Sequence, residues 1–484
     1  MNIPDDAFFA LLTRGIQQRG DATLQRALYQ ALREAILQGE LLSHSRLPGA
    51  RVIAQRAGVS RNTVNSALEQ LAIEGYLIRS RQGTYVAALN TLAESEPAPP
   101  AFVLPERLRT LPLPGRRDSP ALLLTTGMPA VNYFPLVIWR RLLDRVLRED
   151  GSTILGYGEA AGEPALREAI ARHLTLSRGI RCTARQIVIT EGALEGVNLC
   201  THLLSVAGDT AWVEEPGYFG AKSVFIKAGL QLKGIPVDGD GMCPDSVNEV
   251  APRLIFTSPS HQYPSGAVMS AGRRLALLEY ARQHDAWIVE DDYDSEFSYS
   301  GEPIQAMLGM VAQAPVVYLG TFSKTLFPSL RIGFAVMPSA LAEAAQGAIG
   351  ALLRGGHRLE QRALALFIEE GHYARHLASM RRLYRRRQQQ LREAVASEFT
   401  LANEIWGGEG GLHLTVAVDD IDDVQIVEQA RQYQMAPAAL SRFYLNPHKA
   451  RSGLVLGYGN TSAAHFVPAL RTLNRLIRQQ RGSG

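Results

Sequence analysis

The sequence predicts an α/β protein in two parts: a small helical head, and a large domain built on a mostly parallel sheet. Three observations predict it. Residues 1–89 carry short helical patterns and an arginine-rich end. Residues 90–120 hold seven prolines and show neither a helical nor a strand period, which reads as an extended, semi-rigid linker. From 121 to 484 short apolar runs (QIVIT, TAWVEE, RLIFTSPS, AWIVEDD, VVYLGTFSK, RIGFAVMP) alternate with amphipathic stretches. Continuous apolar runs between helices are strands buried on both faces, the signature of a parallel α/β sheet.

Composition narrows the class. The 484 residues are 46% hydrophobic and 20% charged, which excludes wholesale disorder. No run approaches the ~18 apolar residues a membrane helix needs. The first residues, MNIPDDAFFALLTRG, place acid before the apolar patch and do not read as a signal peptide. Cys182, Cys200 and Cys243 form no CxxC pair, which argues against a disulfide framework or a zinc site; no metal is expected, and a reducing cytoplasm is. The net charge is only +3, yet residues 1–90 hold ten Arg, no Lys and seven acids, so the whole excess sits in the first fifth. That placement points mildly to nucleic acid.

Within the head, Leu24, Leu28, Ala31, Leu32, Ala35 and Ile36 mark an amphipathic helix ended by Gly39. A shorter helix, RVIAQRA, runs into a turn at Gly58. Ser60 is a natural N-cap for the next helix, RNTVNSALEQLAIEGY. YLIRSRQGTYVA then reads as a hairpin turning at Gln82-Gly83. Helix-turn-helix plus hairpin is a winged helix-turn-helix. Its second helix would enter the major groove N-terminus first, so Ser60, Arg61, Asn62 and Thr63 are placed to meet DNA. Arg46 and Arg51 would reach phosphate, Arg79 and Arg81 would flank the wing tip, and Gly83 would let the backbone approach closely. The elements LP-x-x-R, GVSRNTV, L-x-x-EGY and G-T-Y-V occur in order, and the segment resembles the DNA-binding domain of GntR-type bacterial regulators.

In the large domain three strand-end motifs matter: TSPSHQYPSG, EDDYDSEF and GTFSKTLFPSLRIG. Open α/β sheets bind ligands at the carboxyl ends of their strands. These motifs offer a carboxylate, a phenol, a lysine flanked by hydroxyls, and an arginine. Pyridoxal 5'-phosphate chemistry uses such a set: a lysine for the Schiff base, a carboxylate beside the pyridine nitrogen, a phenol for the ring oxygen, and hydroxyls, helix N–H groups and an Arg for the phosphate.

Together with LGYGEAAGEPALREAIARHL, QIVITEGA and EEPGYFGA, these strings make residues 121–484 resemble a fold-type I aminotransferase with a smaller C-terminal subdomain. Residues from about 24 to 460, the linker aside, are similar to the MocR/GabR family of bacterial regulators. The resemblance implies roles. Lys324 would take the cofactor aldehyde, Asp291 would pair with the pyridine nitrogen in preference to Asp292 or Asp294, and Tyr293 would contact the ring oxygen. Thr321, Ser323, Arg331 and the backbone of Gly192 and Ala193 would hold the phosphate. Tyr218 would stack on the ring. Tyr157 would reach the cofactor of a neighbouring subunit, implying a homodimer. His261 and Gln262 stand where ordinary aminotransferases carry an Asn-Pro motif, and Leu194 replaces a common Gln.

The resemblance implies a DNA-binding transcription regulator that senses an amine or amino acid, or pyridoxal phosphate itself. A working aminotransferase with an appended DNA-binding domain is the alternative, since the lysine, aspartate and phosphate groups are all present. An amino-acid effector would need an arginine for its carboxylate, and Arg442 is the first choice, with Arg451 its rival. EEPGY continues as FGAKS without the arginine of the GABA-responsive members, which argues against GABA. The arginines of SMRRLYRRRQQQLR read as a solvated helix face rather than a second DNA surface.

Overall fold

The computed structural model describes residues 5–18, 20–89, 103–109, 122–244, 250–299, 305–399 and 403–482. The chain forms two compact units, residues 1–103 and 104–484. Most of the proline-rich linker expected over 90–120 lies outside the described residues. Within it, Glu106–Arg109 forms a single helical turn (α5) despite the lack of a sequence period.

The first unit contains α1 (Asp5–Gln17), α2 (Leu24–Leu37), α3 (Ala50–Ala57), α4 (Arg61–Ile73), β1 (Leu77–Ser80) and β2 (Gly83–Val86). The stripe along α2 is buried at Ala27, Leu28, Ala31, Leu32, Ala35 and Ile36. Gly58 closes α3 in a left-handed conformation that favours glycine, φ 65°. The Ser60 hydroxyl accepts from the Thr63 amide at 3.1 Å, capping α4. The β1–β2 hairpin pairs Ser80 with Gly83, so its turn is Arg81-Gln82 and Gly83 opens the second strand. This is one residue earlier than the sequence suggested.

The second unit continues with α6 (Leu136–Asp150), α7 (Pro164–Ser177), β3 (Ile187–Thr190), α8 (Ala193–Leu204), β4 (Thr210–Glu215), α9 (Phe219–Lys227), β5 (Gln231–Asp238) and β6 (Gly241–Met242). Then follow β7 (Leu254–Thr257), α10 (Ala271–Gln283), β8 (Trp287–Asp292), β9 (Val316–Thr321) and β10 (Gly333–Val336). Eight strands form one sheet in the order β3-β10-β9-β8-β7-β4-β5-β6. β9, β8, β7, β4 and β5 run parallel, and β10 is antiparallel to both of its neighbours. β3, β7, β9 and β10 are buried along their whole length, which is why they read as uninterrupted apolar runs.

The smaller C-terminal part holds α11 (Ser339–Leu352), α12 (Arg358–Glu369), α13 (His372–Glu398), β11 (Glu404–Trp406), β12 (His413–Ala417), α14 (Asp423–Ala430), β13 (Ala438–Ala439), β14 (Gly453–Gly457) and α15 (Phe466–Gly482). Its four-stranded sheet has the order β11-β12-β14-β13. On α13, Arg381, Arg387 and Arg392 donate to the carbonyls of Glu296, Gly459 and Gly407. These arginines tie the helix to neighbouring loops, leaving fewer cations for a second DNA face.

Candidate functional site

Sheet topology assembles the pocket. β10 runs against β3 and β9, so its first residue, Gly333, pairs with the last residues of both, Thr190 and Thr321. One sheet edge therefore gathers Gly192 and Ala193 after β3, Thr321 at the end of β9 with Ser323 beyond it, and Arg331 just before β10. Asp291 and Asp292 end β8 alongside Leu319 and Gly320 of β9.

The phosphate-type end comes first. Gly192 turns at φ 82°, and α8 starts at Ala193, leaving its first N–H groups without intrahelical partners. A Cβ on Gly192 would sit 3.2–3.3 Å from the Arg331 guanidinium, so the absence of a side chain keeps this cradle open. Arg331 is itself left-handed, φ 52°, and donates to the Glu191 carbonyl. The Thr321 hydroxyl accepts from the Ser323 amide at 3.2 Å, fixing the turn that leads to the lysine. Helix N-terminal amides, hydroxyls and a guanidinium are the groups that bind a phosphoryl dianion.

Lys324 Nζ donates to the Gly127 carbonyl at 2.9 Å. Burial lowers its pKa against the opposing pull of Asp294 and Asp291. A side chain at Gly127 would come within 2.7 Å of that amine, and its φ of 66° also favours glycine.

The three acids of EDDYD separate by their partners. Asp292 accepts from the hydroxyls of Tyr318 (2.7 Å) and Ser295 (2.8 Å) and pairs with Arg178 at 2.8 Å. Asp294 faces His261 Nδ1 at 3.1 Å. Asp291 is 4% exposed, and its buried Oδ1 has no hydrogen-bond partner among the described residues. Burial, followed by Asp292, Glu214 and Asp294, pushes the Asp291 carboxyl up to about 7. An orphaned, strained carboxylate of this kind fits a cationic N–H partner such as a protonated pyridine. The residues present fit pyridoxal phosphate at both ends.

Asp291 also sets a pH dependence. Its folded pKa lies above the ordinary value of 3.8. Between 3.8 and about 7 the folded chain therefore binds more protons than the unfolded one, so the contribution to stability falls as pH rises through that window. Asp291→Asn is expected to stabilise the cofactor-free protein above pH 7 by about 1–3 kcal/mol, while reducing the rise in melting temperature that pyridoxal phosphate confers. Melts with and without the cofactor on either side of that window check both signs.

Around this core lies an aromatic wall in which Tyr218 and Tyr293, expected from the sequence, are joined by Tyr263, His413 and Phe443, which sequence reading missed. Tyr263 stands at its centre, with ring centroids 4.9 Å from His413, 5.1 Å from Phe443, 6.2 Å from Tyr293 and 6.4 Å from Tyr218. Burial pushes the Tyr263 hydroxyl up to about 12. Tyr218 caps α9 beside this wall. Glu214 and Gln262 brace the same end of the sheet: the Gln262 amide donates to Glu214 at 3.0 Å.

His261, Asp294 and His413 bring three ligand-type atoms within 4.8 Å of one another. His413 Nε2 already donates to the Pro264 carbonyl at 3.1 Å, and His261 Nδ1 already meets Asp294. The cluster is built as a hydrogen-bonded network.

Two expected residues stand apart from the pocket. Tyr157 is 97% exposed. Arg442 is half exposed and faces Glu428 at 3.8 Å. The adjacent Phe443 is the residue that turns inward to Tyr263, so the short helical turn over 440–443 sends Arg442 outward. Arg451, the rival, pairs at the surface with Glu404 and Asp419.

In the first unit the residues expected to meet DNA fall on α3, on the first turn of α4 and at the β1–β2 hairpin. Arg61 and Asn62 are exposed on the first turn of α4, and Arg51 is exposed on α3. Arg46 bridges to Tyr85, and its guanidinium lies 2.9 Å from where a Gly83 Cβ would be, so Arg46 lies against the second strand of the hairpin.

A sheet-end lysine and carboxylate with a helix-N-terminal anion cradle define an aminotransferase-type domain. The aminotransferase class I and II family matches residues 123–436, and the bacterial regulatory proteins of the gntR family match residues 24–86. The chain is 37% identical over 97% of both chains to the probable rhizopine catabolism regulatory protein MocR of Rhizobium meliloti. It is 30% identical, over 90% of this chain and 91% of the relative, to the pyridoxine biosynthesis transcriptional regulator PdxR of Corynebacterium glutamicum. Among solved structures, the kynurenine aminotransferase of Pyrococcus horikoshii covers 78% of this chain and 97% of its own, at TM-score 0.71 and 25% identity. The chain belongs to the MocR-type helix-turn-helix transcription regulators, in which a GntR-type DNA-binding domain precedes an aminotransferase-like domain.

Proposed function

We propose that this regulator holds pyridoxal 5'-phosphate at Lys324 and responds to an amine-bearing effector that competes for the same carbonyl carbon. The observation that carries the reading is Asp291, a buried carboxylate whose Oδ1 has no partner among the described residues and whose charge acts on the Lys324 amine. The bound cofactor supplies an aldehyde that an amine can join and an electron-drawing ring. With it bound, Asp291 would hold a proton at the pyridine nitrogen, Tyr293 would meet the ring oxygen, and Tyr218 would lie over the ring. Thr321, Ser323, Arg331 and the amides at Gly192 and Ala193 would hold the phosphate. The almost fully exposed Tyr157 supports a homodimer in which it serves the partner's pocket, and two winged helices reading a repeated operator follow from that pairing. The DNA-binding family supports a cytoplasmic location.

Arg442 and Arg451 both face acids at the surface, so an amine with a neutral or hydroxylated body suits the aromatic wall better than an amino acid anchored through either. The names of the MocR and PdxR relatives, rhizopine catabolism and pyridoxine biosynthesis, support an amine or the vitamer itself as the signal. The test is an absorbance titration of the loaded protein with amines and amino acids, with and without a keto acid, alongside operator binding. A spectral change coupled to altered DNA affinity without turnover is expected. Steady multiple turnover with unaltered DNA binding would overturn the sensing role.

A further inference from the structure

Tyr293 does not stand alone at the end of β8. Its hydroxyl lies 3.1 Å from His261 Nδ1, and the same nitrogen lies 3.1 and 3.2 Å from the two carboxylate oxygens of Asp294. A ring nitrogen that meets a carboxylate and a phenol oxygen together can serve both only by carrying the proton itself. The far nitrogen, Nε2, is buried without a hydrogen-bond partner among the described residues, which suits a lone pair better than an N–H. A polar cavity of about 170 Å3 lies against the imidazole, lined also by Arg178, Ser260, Ser295, Ser298 and Glu409. It has room for several waters.

Two other titratable groups face His261. His413 of β12 lies 5.1 Å away ring to ring, and burial, with His261 itself, pushes it down to about 3, so it stays neutral. Asp294 is raised by burial and pulled back toward the carboxylate by His261. Asp294 also acts on Lys324 and Asp291, so the cluster belongs electrostatically to the cofactor pocket.

We infer that His261, anchored by Asp294, is a positioning residue that donates its Nδ1 proton to the phenol oxygen of Tyr293 and thereby aims the Tyr293 proton at the ring oxygen of the cofactor. This rests on the reading that the pocket takes pyridoxal phosphate. Donation into a phenol oxygen polarises the hydroxyl and strengthens it as a donor, so His261 tunes the ring without touching it. The spacing hides the device in the sequence: the three groups sit on the β7–α10 loop and at the end of β8, with the second histidine on a strand of the other sheet.

The experiment follows the pH midpoint of the visible absorbance band after pyridoxal phosphate is added to the full-length protein, its His261→Leu, His261→Asn and Tyr293→Phe variants, and the H261L/Y293F double variant. A hydroxyl donating to the ring oxygen stabilises its ionised form, so losing it raises the midpoint. Y293F is expected to raise it by about one pH unit, the equivalent of one hydrogen bond. H261L should move it the same way, the double variant no further than Y293F alone, and H261N, whose amide can still donate, part of the way back. An H261L midpoint equal to wild type, or a double variant shifted beyond Y293F, would overturn the relay. A readout without cofactor is independent of loading: 15N-histidine-labelled protein should carry the His261 proton on Nδ1, its signal assigned by loss in H261N, and a proton on Nε2 would overturn the inference. A wild-type protein that takes up no pyridoxal phosphate would sink the pocket reading itself, whereas a band indifferent to His261 sinks only the relay.

Discussion

Lys324→Ala is expected to abolish the visible band formed with pyridoxal phosphate completely, while the cofactor-free protein keeps its fold. The first half follows from chemistry: only a neutral amine attacks a carbonyl, and burial lowers Lys324 so that more of it is neutral near pH 7 than a solvated lysine would be. No other lysine takes its place, because the same aldehyde must also present its phosphate to Arg331 and α8. The second half follows from how little the amine contributes structurally among the described residues, a single bond to the Gly127 carbonyl. A linkage sign accompanies it. Lys324 has a folded pKa below the ordinary 10.5, so between the two values the unfolded chain binds more protons and stability rises with pH. In K324A that rise is lost. Spectra and pH-dependent melts of the cofactor-free form separate capture from folding, and an unchanged band would mean that another amine captures the aldehyde.

The sheet was legible in the sequence because its central strands are buried on both faces. A strand sealed that way leaves no room for polar alternation, and the runs at β3, β7, β9 and β10 show it. The lysine and its hydroxyls were legible because they are contiguous. The choice among Asp291, Asp292 and Asp294 was legible only through resemblance: identical side chains one to three positions apart differ in what they face, and only coordinates show Tyr318, Ser295 and Arg178 converging on Asp292. Arg442 shows the same limit from the other side. A residue type was right for a carboxylate, yet its neighbour Phe443 faces inward. Tyr263, His261 and His413 were beyond periodicity altogether, because loops and two sheets bring them together across some 150 residues of chain. In the head, by contrast, the cap at Ser60 and the turn at Gly58 are local events, and the hairpin missed its register by only one residue.

Arg61→Ala is expected to weaken operator binding by about 10- to 100-fold, the 1–3 kcal/mol of one well-placed contact, and to leave pyridoxal phosphate uptake unchanged. The structural reason is that α4 begins where a recognition helix must end its approach. Ser60 caps it, its first turn carries no acid, and Arg61 and Asn62 stand exposed beside the helix N-terminus. A cation there adds to the positive end of the helix dipole, which is tolerable in isolation only because it is solvated, and becomes favourable when a phosphate or a guanine edge arrives. If the hairpin adds a second contact through Arg46 and Arg81, Arg81→Ala should cost less than Arg61→Ala. The salt dependence distinguishes the two modes of contact. If Arg61 neutralises a phosphate, the slope of log affinity against log salt falls by about one charge and the loss is uniform across sequences. If Arg61 reads a base, the slope stays and discrimination relaxes at one position of each half-site. Ser60→Ala should weaken both modes together by fraying the first turn, at a cost of about 1 kcal/mol. Gel shifts across a salt series, on an operator mapped by footprinting, measure all of these, and an Arg61→Ala protein that binds as tightly as wild type would remove α4 from the DNA interface.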